Sequence, residues 1–279
     1  MGSDLKTAAQ KADDLSGRSS RAAGFLTESC LLAFGLPSID DEDLAREWER
    51  AGAADAQICW VENGKIIAGT MERFIEFRAS APRYKFSSDS FERALEEGLS
   101  GALTASAAME ACRRLSVPCA VSCGIGGIYG ASDGEKCQDL NMIRDSGVVL
   151  VCTSPKDMLD AEKSVAWLRR SGVAVLGCGS DLCTGFVFSG RPVQLSGAWQ
   201  GGAVEAPAVI LRGIADEMRI KDEEILKKAV CEAKEAELRG GYFHPAANAA
   251  LDRLTDGYSS RLQLYSLLDN IRFAAELFK

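Results

Sequence analysis

Apolar residues recur along this chain with two periods, one suited to short buried strands and one to amphipathic helices. Residues 24–32 form a compact apolar run, predicted as a strand, that carries a single ionisable residue, Glu28. A turn at 35–37 follows. Ser38 with Asp41 three positions on then has the form of a capping box that starts a helix running to about Ala51. Segments 56–60 and 65–69 flank Glu62-Asn63-Gly64, and Asn-Gly between apolar runs predicts a tight hairpin because both residues tolerate positive φ.

From Lys85 the pattern becomes repeated strand-then-helix units. Runs at 118–122, 148–153 and 173–177 are almost continuously apolar, as strands covered on both faces must be. Between and after them, 103–115, 157–171 and 222–239 show helical spacing of apolar residues. Together these predict an α/β fold. Its central sheet is mixed but mainly parallel and is sandwiched by helices, with a small antiparallel hairpin element and a helical C-terminal third. No repeat or Pro/Ser-rich linker divides the chain, so residues 23–279 read as one domain behind a polar segment, 1–22.

Composition narrows the chemistry. The 279 residues are 47% hydrophobic and 26% charged, ordinary values for a packed globular protein. A formal net charge of -8 with no basic stripe argues against nucleic acid as a partner. The first 21 residues lack the apolar stretch of a signal peptide or membrane span, which predicts a cytoplasmic protein with no membrane partner. Ten cysteines lie scattered through apolar segments without a CxxC pair, and they read as buried free thiols rather than disulfides or zinc ligands. The one histidine, His244, leaves histidine metal sites and Ser-His-Asp triads with almost no material. Chemistry therefore falls to Lys, Asp, Glu and backbone groups.

Three features could carry it. The loop Cys123-Gly124-Ile125-Gly126-Gly127-Ile128-Tyr129-Gly130 directly follows a predicted strand, and it reads either as a backbone cradle for an anion or as a plain tight turn. It is not a dinucleotide fingerprint, because the third glycine would fall at Tyr129, which disfavours a nicotinamide-dependent oxidoreductase. Pro155 fits a first helical turn, which would set Lys156 at the helix's positive end and favour the neutral amine that imine formation requires. The alternative is a surface lysine that opens a helix. Glu28 is either ion-paired or poorly solvated, and in the second case its raised pKa would make it a proton donor. Glu135 and Asp139, four apart, could both face the glycine loop as oxygen ligands of a hard divalent ion, or be first-turn helix acids.

Taken in order, these segments resemble the pseudouridine-5'-phosphate glycosidase family, also called indigoidine synthase A. The resemblance rests on Leu26-Thr27-Glu28-Ser29-Cys30 with Gly35-Leu36-Pro37, on Tyr84-Lys85 and Asp89, and on Gly98-Leu99-Ser100-Gly101 followed by Leu103-Thr104-Ala105. It continues through the loop Gly124-Ile125-Gly126-Gly127, the block around Lys156, and Leu254-Thr255-Asp256-Gly257 with Asn270. Asp139 also lies seventeen residues before Lys156, as in the family. The resemblance implies cleavage of the carbon–carbon bond of pseudouridine 5'-phosphate by water, giving uracil and ribose 5-phosphate, in a reversible reaction. In that scheme Lys156 forms the imine and Glu28 donates the proton. Lys85, the backbone at Ala105, and Cys137-Gln138-Asp139 would hold the sugar phosphate, with Tyr129 and Gln263 completing the pocket. Glu135 would hold a divalent metal, manganese, and the assembly would be a homotrimer.

Several positions depart from the family pattern. Tyr129 stands for a histidine, Leu103 for a threonine, Glu135 for an aspartate, Cys137 for a serine and Gln263 for an asparagine. The altered pocket leaves room for a C-glycosynthase, or a glycosidase for a different base or an unphosphorylated ribose. A sugar-phosphate-binding paralogue without turnover is the rival from another class. Retention of both Glu28 and Lys156 argues against it.

Overall fold

A computed structural model of the chain describes residues 24–80, 84–129 and 136–278, so the polar segment 1–22 and Glu135 lie outside the described residues. Strand β1 (Phe25–Glu28) is buried along its whole length, and the apolar run 24–32 does not continue it: at Ser29 the chain turns into helix α1 (Cys30–Phe34). The fully buried Ser29 hydroxyl accounts for the turn, since it donates to Cys59 O at 2.6 Å and accepts from Leu103 N at 2.9 Å. Helix α2 (Asp41–Arg50) starts later than Ser38 suggested. Asp40 is the cap, accepting from Asp43 N at 2.8 Å, while the Ser38 hydroxyl is drawn to Asp252 at 2.8 Å.

Strands β2 (Ile58–Glu62) and β3 (Lys65–Gly69) form the expected antiparallel hairpin, with Asn63 and Gly64 at φ 50° and 69°. Helix α3 (Met71–Ala79), strand β4 (Tyr84–Phe86), helix α4 (Ser88–Glu96) and strand β5 (Gly101–Leu103) follow. Leu103, expected in a helix, instead ends β5, and helix α5 (Ala105–Arg114) begins beyond Thr104. Then come β6 (Cys119–Val121), β7 (Gly124–Ile125), α6 (Gln138–Asp145), β8 (Val149–Cys152), β9 (Ser154–Pro155), α7 (Ala161–Arg170) and β10 (Ala174–Cys178). Four short strands that the hydrophobic pattern did not reveal come next: β11 (Leu182–Cys183), β12 (Val193–Gln194), β13 (Gly197–Trp199) and β14 (Ala208–Leu211). Helices α8 (Glu223–Leu238), α9 (Phe243–Leu254) and α10 (Tyr258–Leu277) close the chain.

The main sheet runs β13-β10-β14-β8-β6-β1-β2-β5-β4, with β3 on β2. Every pairing from β13 to β2 is parallel, whereas β2 pairs antiparallel with both β3 and β5. Alternate residues of each strand feed opposite faces, as the pleat requires. Phe25, Cys119, Val121, Val151 and Ile210 pack toward α1, α2, α3 and α10, while Leu26, Ala120, Leu150, Val209 and Leu211 pack toward α4, α5, α6 and α7. Among the described residues no helix is long and apolar enough to cross a membrane.

The antiparallel β5 has a consequence for position. It approaches from the opposite direction and ends beside the carboxyl end of β1, where Ser29 joins β1, β2 and β5. Ser29→Ala would leave a buried carbonyl and a buried N–H unpaired, each costing ~1–3 kcal/mol. Denaturant unfolding of Ser29→Ala should show a loss of about 2 kcal/mol or more; no change would remove Ser29 as the junction.

Candidate active site

The carboxyl ends of β1, β5 and β6, with Lys85 of β4 and Lys156 just past β9, border a cavity of about 210 Å³. Of the residues singled out in the sequence, Glu28, Lys85, Ala105, Cys137, Gln138, Asp139, Lys156 and Gln263 all line it. Tyr129 does not: it is 44% exposed and lines an adjoining cavity of about 500 Å³.

One wall suits an anion. The positions that open α4, α5 and α6, namely Ser87, Thr104 and Cys137, all line the cavity, so three helix N-termini meet there. Neither Thr104 nor Cys137 caps its helix with a side-chain hydrogen bond, which leaves first-turn N–H groups for a ligand. Lys85 and Lys156 add charge to the same space.

Asp139 ties this wall together. It is 6% exposed, and its two oxygens accept from Ser106 N at 2.9 Å and Gly126 N at 2.7 Å, joining α6 to α5 and to the glycine loop. Both oxygens are thus engaged by backbone donors. Gly126 is required by this closeness, because a Cβ there would come within 2.1 Å of Cys137 Sγ. Among the described residues no group of three His, Cys, Asp or Glu side chains converges on a metal position. The described side chains therefore do not themselves form a metal centre.

Lys156 is not at a helix start. Pro155 belongs to β9, which pairs in parallel with β7 of the glycine loop, and α7 begins only after the Asp160 cap. The Lys156 N–H donates to Ile125 O at 3.1 Å. Its neighbour Asp157 would be the natural helix-opening acid but is spent elsewhere, accepting from the N–H groups of Phe186, Val187 and Phe188 at 2.8, 2.9 and 3.1 Å. Burial pushes the Asp157 carboxyl up to about 6. The Phe186 ring it anchors crowds Gly124, where a Cβ would stand 2.8 Å from that ring and 3.1 Å from Lys156 Cγ.

Glu28 sits at the deep end, 6% exposed, and Ser122 Oγ donates to it at 2.8 Å. Burial raises its pKa, an effect opposed mainly by the nearby Lys156. Behind it, Asn270 from α10 donates to Ser122 O at 2.9 Å and Thr153 Oγ1 at 3.0 Å, fixing the ends of β6 and β8. The thiols lining the cavity are held protonated: burial pushes Cys30 up to about 11 and Cys123 and Cys137 up to about 12. None of the three is a thiolate nucleophile at neutral pH. All ten cysteines are free and six of them are buried, although Cys231 is exposed.

Ser87, Thr104, Ser106, Ser122, His244 and Asn248 belong to the site or its support without having been singled out. A polar residue closing an apolar strand, just before a helix for Thr104 and just before the glycine loop for Ser122, was the available signal; Ser106 and His244 had none.

The two states of Glu28 make stability depend on pH. With its folded pKa above the usual 4.5, the folded protein retains a proton that the unfolded chain releases. Stability therefore falls as pH rises through that window, and the cost is complete above the folded value. Glu28→Gln removes this cost. Thermal unfolding should find the variant more stable than the parent at pH 8, with the advantage gone near pH 4; a constant difference across that range would contradict the assignment.

Comparison with known proteins covers most of the chain. A family model described as indigoidine synthase A like protein matches residues 26–201. Two curated relatives named pseudouridine-5'-phosphate glycosidase illustrate the likeness. The protein from Gemmatimonas aurantiaca is 28% identical over 280 residues, spanning 92% of this chain and 90% of the relative. That from Streptomyces griseus is 27% identical over 278 residues, spanning 90% and 84%. Among solved structures, an indigoidine synthase A-like protein from Thermotoga maritima superposes with a TM-score of 0.77 at 22% identity, covering 91% of each chain. The prealnumycin C-glycosynthase AlnA, solved in complex with ribulose 5-phosphate, gives 0.71 at 22% identity, covering 91% of this chain and 89% of its own. These two likenesses establish a shared fold.

Proposed function

The chain belongs to the indigoidine synthase A like family, and from that premise we propose that it is a C-glycosidase acting on the carbon–carbon bond between a ribose 5-phosphate and a carbonyl-bearing base such as uracil. The observation that carries the reading is the meeting in one small cavity of Lys156 with a carboxyl, Glu28, whose pKa burial raises. A lysine amine and a protonated acid are the two groups that imine-based cleavage requires.

The Lys156 amine bonds to the anomeric carbon as the ring oxygen departs and takes a proton, opening the sugar. The nitrogen lone pair then expels the base, whose departing carbon takes the proton of Glu28, and an iminium remains on Lys156. Water hydrolyses the iminium, releasing the free sugar aldehyde and the amine. Each step is reversible, so the same groups can join a sugar phosphate to a base. The curated relatives' name supports pseudouridine 5'-phosphate as the substrate, and the uncapped N-termini of α5 and α6, with Lys85, support its phosphate.

A second reading, synthesis or cleavage with a different aglycone, is favoured by Cys137 at the α6 cap and by Tyr129 lying outside the inner cavity. A thiol is a weak donor, so the sugar phosphate would rest more on backbone groups. A binding protein without turnover has no use for a protonated acid beside a lysine. A divalent ion held through Glu135 and a homotrimeric assembly are further parts of the proposal that the family resemblance suggests.

Borohydride reduction in the presence of ribose 5-phosphate tests the chemistry. A stable adduct should form on Lys156, disappear in Lys156→Ala, and persist in Glu28→Gln, while pseudouridine 5'-phosphate turnover falls by about 10²-fold or more in Glu28→Gln. Mass spectrometry showing no adduct with any pentose or pentose phosphate would sink the mechanism.

A further inference from the structure

His244, set aside in the sequence for want of partners, stands in the first turn of α9 and lines both the inner cavity and the adjoining one. Among the described residues only Lys85, Gly126, Cys137 and Gln138 share that position with it, so His244 faces the anion wall at the passage between the two spaces. The ring is half-buried and packs edge-on against Phe243, with centroids 5.4 Å apart and planes at 83°. Its Nδ1 is buried with no hydrogen-bond partner in the protein. Because Nδ1 is closed off from the cavities, the ring's other nitrogen, Nε2, is the atom left to meet a ligand.

We propose that His244 is a further substrate-contact residue, which hydrogen-bonds the anionic group of the ligand and takes up a proton as that group arrives between Lys85 and Lys156. The inference rests on the sugar-phosphate reading above. The imidazole's pKa is held well below its usual value, first by the positive charge of Lys156, then by burial and by Lys85. Among the described residues the carboxyl groups of the inner cavity are Glu28, its pKa raised by burial, and Asp139, turned toward backbone donors. Across the outer cavity stand Asp89, Lys136 and Glu237, with the phenol rings of Tyr129 and Tyr242. A phosphate ester brings a charge of about −1.5 to −2, which offsets the two lysines and removes the main cause of the imidazole's neutrality. Binding of the anion and protonation of His244 then reinforce each other.

The chain contains a single histidine, so one imidazole signal in the protein labelled with ¹⁵N-histidine reports this residue alone. Titrated without ligand, it should stay neutral to well below pH 6.5; saturating ribose 5-phosphate should raise its midpoint by about one unit or more, and ribose should not. His244→Gln should weaken ribose 5-phosphate binding about tenfold at pH 6, less at pH 9, and leave ribose binding unchanged. If ribose 5-phosphate binds by calorimetry without moving the midpoint, or the variant loses affinity equally at both pH values, this proposal falls while the imine chemistry stands. If ribose 5-phosphate does not bind the parent protein at all, both fall.

Discussion

The site depends on one buried carboxylate. Asp139 reaches from the first turn of α6 to Gly126 N on one side and Ser106 N on the other, so a loop and two helices meet on two oxygens. Charge-assisted bonds to backbone N–H groups are strong, and here they fix separations that no apolar packing could set. Because Asp139 is occupied in this way, it organises the wall that receives the ligand. The glycine loop has no side chain at position 126 for the same reason: Cys137 and Asp139 already fill the space.

On this frame the two ends of the cavity acquire opposite character. Helix N-termini and two lysines gather positive potential on one side, while the far end buries Glu28 behind Ser122 and the α10 side chain Asn270. For the sugar phosphate proposed as ligand, this gradient favours the anionic end at the helix N-termini and the anomeric end toward Glu28.

Features set by local chemistry were legible in the sequence. Asn63-Gly64 specified its hairpin, and the almost continuous apolar runs identified β6, β8 and β10 as strands covered on both faces. Glu28 could be noticed because a carboxylate interrupts an apolar run, and the structure buries it as that oddity suggested. Lys156 was singled out by a faulty argument. Asp157, which should have opened a helix, is taken by the Phe186–Phe188 backbone about thirty residues away, so the helix waits for Asp160. The strands β13 and β14 were missed because they are short and depend on neighbours across the sheet. Ser29, Ser106 and His244 owe their roles to residues distant in sequence, and their local context gives no sign of it.

The short ladder between β7 and β9 has a mechanical meaning. Gly124 and Ile125 are hydrogen-bonded in register to Ser154 and Pro155, and the next residue is Lys156. Glycine loop and lysine are therefore one lever: a displacement of Gly124 and Ile125 is carried along the ladder to the backbone of Lys156.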